Sequence, residues 1–213
     1  MIDLTTYLLK VSSAKSAQEL WPFLTAAMEE FGFDRLIYGY TPYRSGSSLG
    51  DPRDWRILTN HSPAYMEGFV QRGLYAKAPM VEWSLSNVGA CSWSLIEKLC
   101  HDKKLTKNQK AVVAFNRSME VHAGYTISFR SISSRGKGAM ALAARKSLSQ
   151  QEVDQMWETH GDTIVAMNNV AHLRLLTLPF DGARQLTRRQ LEVLEWVSDG
   201  KSMQDVATIL GVS

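Results

Sequence analysis

Apolar residues recur along the chain with two periods, and each change of period marks an element. Between Ser16 and Phe31, the residues Leu20, Phe23, Leu24, Ala27, Met28 and Phe31 repeat at helical spacing. Ser16 and Glu19 stand where a capping box needs them, and Gly32 offers a stop. The period then shortens to two. Phe33 to Tyr43 reads as a strand with Leu36, Tyr38 and Tyr40 on one face, and Trp55 to Thr59 as a second strand beyond a loop at Gly46, Gly50 and Pro52.

Ser62-Pro63 is a helix start, a capping side chain followed by proline in the first turn, with Tyr65, Met66, Phe69 and Val70 as its apolar stripe. Pro79 ends or kinks this stretch near Ala78. Capping-box spacing at Ser94 and Glu97 predicts a short helix, and Lys107 to Val121 another, whose basic lead-in reads as a solvated face. Tyr125 to Ile132 and Gly138 to Ala144 form an antiparallel hairpin pattern around Ser-Ser-Arg-Gly. Ser149 and Glu152 then open a long helix carrying Val153, Trp157, His160, Ile164, Met167 and Ala171. The pattern to this point predicts an α+β domain, helices packed on about four or five mostly antiparallel strands as an α-β-α sandwich.

Pro179 and Gly182 break the periodicity, and the remainder of the chain has only helical signals. Thr187 and Gln190 make a capping box ahead of Leu191, Val193, Leu194 and Val197, with Gly200 as stop; Ser202 caps a second helix with Val206, Ala207, Ile209 and Leu210, stopped by Gly211. Two short helices around a glycine junction have the form of an opening helix-turn-helix. The expected division is a domain over 1–176, a linker over 177–185 and a second, incomplete all-α domain over 186–213.

With 213 residues, 45% hydrophobic and 21% charged, the chain has ordinary globular composition, which excludes disordered and fibrous classes. Its longest purely apolar runs, Ala139 to Ala144 and Ala111 to Phe115, are far below the roughly 20 residues of a membrane span. The N-terminus lacks the basic and apolar regions of a secretory signal, so a cytoplasmic location is expected, with no membrane partner. Cys91 and Cys100 are isolated, which predicts reduced thiols and neither disulfide nor metal. No phosphate loop, nucleophile elbow or metal-spaced His/Cys set appears, so neither catalytic residues nor a cofactor are expected, and the chain reads as no enzyme. The net charge of +3 decides little, because the segment from Gly182 on carries Arg184, Arg188, Arg189 and Lys201 against Glu192, Glu195, Asp199 and Asp205.

The stretch from Leu186 to Ser213 resembles the DNA-binding domain of LuxR-type transcription factors, through Leu186, Thr187, Arg189, Glu192, Val193, Leu194, Trp196, Gly200, Lys201, Ala207, Leu210 and Ser213. The preceding chain resembles the autoinducer-binding domain of quorum-sensing regulators of that family. Thr59-Asn-His-Ser, Tyr65, Phe69, the Ala78-Pro79 pair, Trp93 and Gly124 fall at the spacing of its ligand-pocket signature. The resemblance implies a small-molecule signal in the first domain, a homodimer, and DNA bound by paired helix-turn-helix units, with Arg188, Arg189 and Lys201 as phosphate contacts.

The departures carry information. The family pattern has tryptophan at the position of Tyr65, tyrosine at Phe69 and aspartate at Ala78; its aspartate accepts from the amide of an acyl-homoserine lactone and its tryptophan donates to the lactone carbonyl. Losing the acceptor costs a buried amide roughly 1 to 3 kcal/mol. Tyr65 and His61 offer replacement polar groups, and Tyr38 and Tyr40 are expected to line the cavity with them. The expected partner is a small-molecule signal, an acyl-homoserine lactone or another mostly apolar molecule, with Ala78 pointing to a non-standard or absent acyl-homoserine lactone; the alternative is that His61, Tyr65, Phe69 and Trp93 are core residues of a domain that binds no ligand. The sequence as written ends at Ser213, before the helix that reads bases in this motif, so a shortened, dominant-negative dimerisation partner is the alternative expectation.

Overall fold

A computed structural model of the chain describes residues 3–46, 48–131, 133–179 and 187–211. By contact the chain divides into two compact units, Met1–Phe180 and Asp181–Ser213.

In the first unit, α1 (Leu4–Ser13) and α2 (Ala17–Glu29) lead into β1 (Phe33–Thr41) and β2 (Arg56–Thr59). Next come α3 (Pro63–Met66), α4 (Pro79–Ser86), β3 (Gly89–Ser92), α5 (Ser94–His101) and α6 (Lys107–Ser118). The hairpin β4 (Gly124–Ser128) and β5 (Lys137–Ala144) precedes the 28-residue α7 (Gln150–Thr177), roughly 40 Å long. The sheet is fully antiparallel in the order β2-β1-β5-β4-β3. α+β is therefore the fold class, with five strands.

Register decides which residues face which layer. Leu36 and Tyr38 pair with Leu142 and Met140, and all four enter a core formed with α1, α2 and α7, which includes Tyr7, Leu24, Ile164 and Leu175. The alternate residues Ile37 and Ala141 face a second core with Tyr65, Phe69, Trp93 and Val112 from α3 to α6. Both faces of the sheet are thus buried, which is why β4 is buried at all five positions and shows no polar alternation.

Local chemistry fixes most element ends. Ser62, Ser149, Thr187 and Ser202 each accept from the backbone N–H three residues on, and the last three form complete capping boxes. The expected box at Ser94 and Glu97 does not form. Trp93 is the N-cap of α5, and the Ser92 hydroxyl accepts from the Ser94 amide at 3.0 Å, so the cap comes from one residue outside the expected pair. The helix expected from Ser62 is also broken: α3 is one turn, followed by a π turn at Glu67–Gln71 and a 3-10 turn at Leu74–Lys77. Gly68 lies in the π turn, where a Cβ would be 2.4 Å from the Phe115 ring of α6, which packs directly on the main chain. α1 and β3 had no periodic signal long enough to predict them.

The second unit contains α8 (Arg188–Ser198) and α9 (Met203–Leu210). Gly200 and Gly211 take φ of +81° and +62° at the predicted stops. Val206 is buried, and Arg189 ties the helices together, donating to Glu192 at 2.9 Å and to the Leu210 carbonyl at 2.5 Å. Leu186, Val212 and Ser213, the linker positions from 180 to 185, and Ile132 at the end of the expected hairpin strand lie outside the described residues.

Candidate functional site: a ligand cavity on one face of the sheet

Small residues on one sheet face leave room above it. Gly39 and Ala139 are register partners, as are Ile37 and Ala141, and Ala141 pairs in turn with Thr126 of β4. Over this floor lies a cavity of about 760 Å³, within the size range of small-molecule sites. Its roof is aromatic: Trp55, Tyr65, Phe69, Tyr75 and Trp93 all line it.

The roof is ordered by ring contacts. Tyr65 stacks on His61 at 4.2 Å and on Phe69 at 5.3 Å, while Trp55 meets Tyr75 edge-on at 5.0 Å. The Tyr65 hydroxyl donates to Asn116 Oδ1 at 3.3 Å, and burial raises its pKa above the ordinary tyrosine value. Trp93 Nε1 donates to Thr126 Oγ1 at 2.9 Å. His61 is pulled down to about 4 by burial, with the Arg35 charge adding to the effect, so its ring is neutral near pH 7.

Of the residues expected at a ligand site, His61, Tyr65, Phe69, Ala78, Pro79 and Trp93 come together around this one cavity. Ala78 is 5% exposed and is the N-cap of α4, a position its methyl group leaves without a side-chain cap. Gly124 acts from behind: a Cβ there would lie 2.1 Å from the Leu142 carbonyl oxygen and 3.0 Å from the Trp93 ring, so only glycine lets that ring close the cavity. Gln150 Oε1 accepts from the Gly124 amide at 2.9 Å.

Tyr38 and Tyr40 border the cavity along β1, but their rings project to the other side of the sheet. Tyr38 is fully buried there with its hydroxyl 2.9 Å from His172 Nδ1, and both rings pack near His172 of α7. The expectation that their side chains face a ligand is corrected by the two-residue alternation itself: Ile37 and Gly39 hold the cavity face. Reading the even-numbered face as inward assumed that β1 has one buried side, and it has two.

Sequence reasoning missed the floor residues Ile37, Gly39, Ala139 and Ala141, the Trp55–Tyr75 pair, Thr126, Asn116 and Lys137. One signal was available, the alternation of Lys137, Ala139, Ala141 and Ala143, which marks a face kept free of bulk.

Among the described residues there is no cluster of three or more His, Cys, Asp or Glu arranged to hold a metal, and no helix is long and apolar enough to cross a membrane. In the second unit Arg188 and Lys201 are exposed cations, whereas the Arg189 guanidinium is committed to Glu192 and Leu210.

The chain thus combines a partly open, mostly apolar cavity in an α+β unit with a following pair of capped helices. Residues 16–175 match the autoinducer-binding domain family, and residues 184–213 match the luxR family of bacterial regulatory proteins. The chain belongs to the LuxR-type regulators with an autoinducer-binding domain. It is 23% identical over 207 residues to the transcriptional activator protein AnoR of Acinetobacter nosocomialis, covering 93% of this chain and 80% of that one. It is 25% identical to the transcriptional activator protein LuxR of Aliivibrio fischeri, covering 75% of this chain and 62% of that protein. Such relatives point to a regulator rather than an enzyme.

Solved structures share the fold at low identity. One is the N-acylhomoserine lactone dependent LuxR family transcription factor CepR2 of Burkholderia cenocepacia, with a TM-score of 0.61, 16% identity and coverage of 81% of this chain and 93% of that one. Another is SdiA, a protein of Escherichia coli, in complex with octanoyl-rac-glycerol, with a TM-score of 0.60, 17% identity and coverage of 100% and 85%.

Proposed function

We propose that this protein is a signal-responsive transcription regulator whose first unit binds a small, mostly apolar molecule and whose second contributes to DNA binding. The observation that carries the reading is the cavity of about 760 Å³, floored by alanine and glycine and roofed by stacked aromatic rings, in an autoinducer-binding domain. Burying the chain of such a molecule contributes roughly 0.8 kcal/mol per methylene, enough to make an acyl group the main source of affinity.

The signal is not a standard acyl-homoserine lactone. Ala78 offers no carboxylate to a ligand amide, and the Tyr65 hydroxyl and the Trp93 indole are already paired with Asn116 and Thr126. An unmet amide in this cavity would keep its desolvation penalty. The protein works as a homodimer, whose symmetry matches a two-fold DNA site, and Arg188 and Lys201 contact phosphates.

The experiment is a thermal-shift panel of acyl-homoserine lactones, monoacylglycerols, fatty acids and alkyl pyrones against the 213-residue chain. A rise of several degrees with at least one non-lactone acyl compound, larger than with lactones of the same chain length, is expected. No shift with any compound removes ligand control, and a strongest response to lactones removes the altered-signal reading.

A further inference from the structure

If the cavity binds a signal, as proposed above, one of its walls specifies the chemistry of one end of that signal. Lys137 lines the cavity where β5 begins, opposite Thr41 of β1, and is 6% exposed. Its Nζ donates to two backbone carbonyls, Asn87 at 2.9 Å and Phe129 at 3.3 Å. An ammonium carries three donors, and among the described residues no third acceptor is bonded to this one.

Among the described residues no carboxylate balances the charge, and every ion pair involves other side chains. The charged neighbour that acts on Lys137 is a second cation, Arg44, and burial together with that charge holds the amine below the ordinary lysine value. Part of this arrangement is structural. Arg44 Nη1 donates to the Leu85 carbonyl at 2.8 Å, and Leu85 and Asn87 end α4, where the helix dipole favours positive charge. A helix end accounts for one cation; it leaves unexplained a second, buried and facing an apolar cavity, because an unpaired buried charge is destabilising.

Among the cavity's polar groups, the Trp93 indole is paired with Thr126 and the Tyr65 hydroxyl with Asn116, while the other Glu, Lys and Arg residues that border it, Glu97, Arg117 and Lys146, are exposed. Among the described residues Lys137 is thus the buried lysine or arginine of the cavity lining, with a donor to spare. From it, Ala139 and Ala141 continue along the same face of β5 as an apolar track, and the Thr126 partner of Ala141 stands four residues away, roughly 13 Å.

We propose that Lys137 forms a carboxylate subsite, so that the signal is an amphiphile with an acid group at one end and a hydrocarbon chain lying over Ala139 and Ala141. The contact is a charge-assisted N–H···O bond, stronger than a neutral one, and it gives the third donor a partner while neutralising the Lys137–Arg44 repulsion.

The test is calorimetric binding of dodecanoate and of methyl dodecanoate to the full chain at pH 7.5, repeated with Lys137→Arg, Lys137→Gln and Lys137→Met. The wild-type chain is expected to bind the acid at least about tenfold more tightly than the ester. Lys137→Arg retains that preference, and the two neutral variants lose it. Lys137→Gln can still donate to the carbonyls, so it serves if Lys137→Met fails to fold, as the melting temperature of each unliganded variant reveals. Equal affinity for acid and ester, or a preference that survives in a folded neutral variant, overturns the carboxylate subsite and leaves the cavity reading standing. If neither compound binds and no acyl compound shifts the melting temperature, the cavity reading fails, and this proposal fails with it.

Discussion

Replacing Ala141 by leucine tests whether the cavity is open space that a ligand fills. Ala141 sits in the floor between Ile37 and Thr126, and no larger side chain rises from its face of β5 between Lys137 and Ala143. Leucine adds three carbon atoms to a strand position where its backbone preferences are acceptable. In a packed core such an insertion costs about 1 to 3 kcal/mol. Above this floor the added atoms enter the cavity of about 760 Å³ and touch the aromatic roof instead of displacing it. The gain is at most roughly 2 kcal/mol at about 0.8 kcal/mol per methylene, so the unliganded variant should melt at or slightly above the wild-type temperature.

The ligand response should move the other way. A ligand present at a hundred times its Kd stabilises the wild-type protein by about 2.7 kcal/mol. For a chain of this size that corresponds to roughly 5 to 11 °C in Tm. Leucine at 141 occupies the path of the chain, and the shift should fall to within a degree or two of zero. The assay is differential scanning fluorimetry with the strongest compound from the panel, wild type and variant side by side. An unliganded variant destabilised by more than about 2 kcal/mol would mean that the floor is packed, and a full ligand shift in the variant would mean that the ligand does not lie over Ala141.

Gly124→Ala drives a Cβ to within 2.1 Å of the Leu142 carbonyl, a backbone atom that cannot rotate away, and should cost at least about 2 kcal/mol in urea unfolding together with the ligand response. Ala78→Asp places a cap at the uncapped N-terminus of α4 and an acceptor at the cavity wall; acyl-homoserine lactones should then bind about tenfold more tightly, and an unchanged lactone affinity measured by calorimetry would contradict the account of the altered pocket. His172, lowered to about 4 by burial and by Lys137, is neutral in the folded protein, whereas an unfolded histidine takes up its proton near pH 6.5. Stability from this group is complete above about pH 6.5 and is lost as pH falls towards 4, in total roughly 3 kcal/mol; His61, lowered for a similar reason, adds in the same direction, and urea midpoints that stay level from pH 7 to pH 5 would refute both assignments.

How much of the molecule was legible in the sequence depends on how local the physics is. The caps at Ser62, Ser149, Thr187 and Ser202 were legible because a hydroxyl and an amide three residues away decide them. The roof residues Tyr65, Phe69, Pro79 and Trp93 were legible through their family spacing. The face of β1 was not, because Leu36, Ile37, Tyr38 and Tyr40 are all apolar enough for a core and the sheet has a core on each side. Only pairing with Ala139 and Ala141 shows which side stays open. Lys137 was hidden for the same reason: a lysine beginning a strand reads as solvated until the neighbouring α4 covers it.

The two faces of the sheet are one residue apart, and this has a mechanical consequence. Ile37, Gly39 and Ile57 line the cavity, while Tyr38 and Arg56 between them hold α7 on the far side. Tyr38 bonds His172, and the Arg56 guanidinium donates to the carbonyls of Leu175, within the last turn, and of Leu178, the C-cap, the latter at 2.9 Å. Because a strand cannot shift one side chain without carrying its neighbours, a displacement of β1 or β2 would pull on the buried bonds that tie these strands to the C-terminal half of α7. Both bonded groups are sensitive to such a displacement. Hydrogen bonds weaken steeply with angle, and a buried histidine or arginine that loses its partner has no water to replace it. The same burial that hid the orientation of β1 from the sequence therefore places the cavity face and the end of α7 under a common constraint.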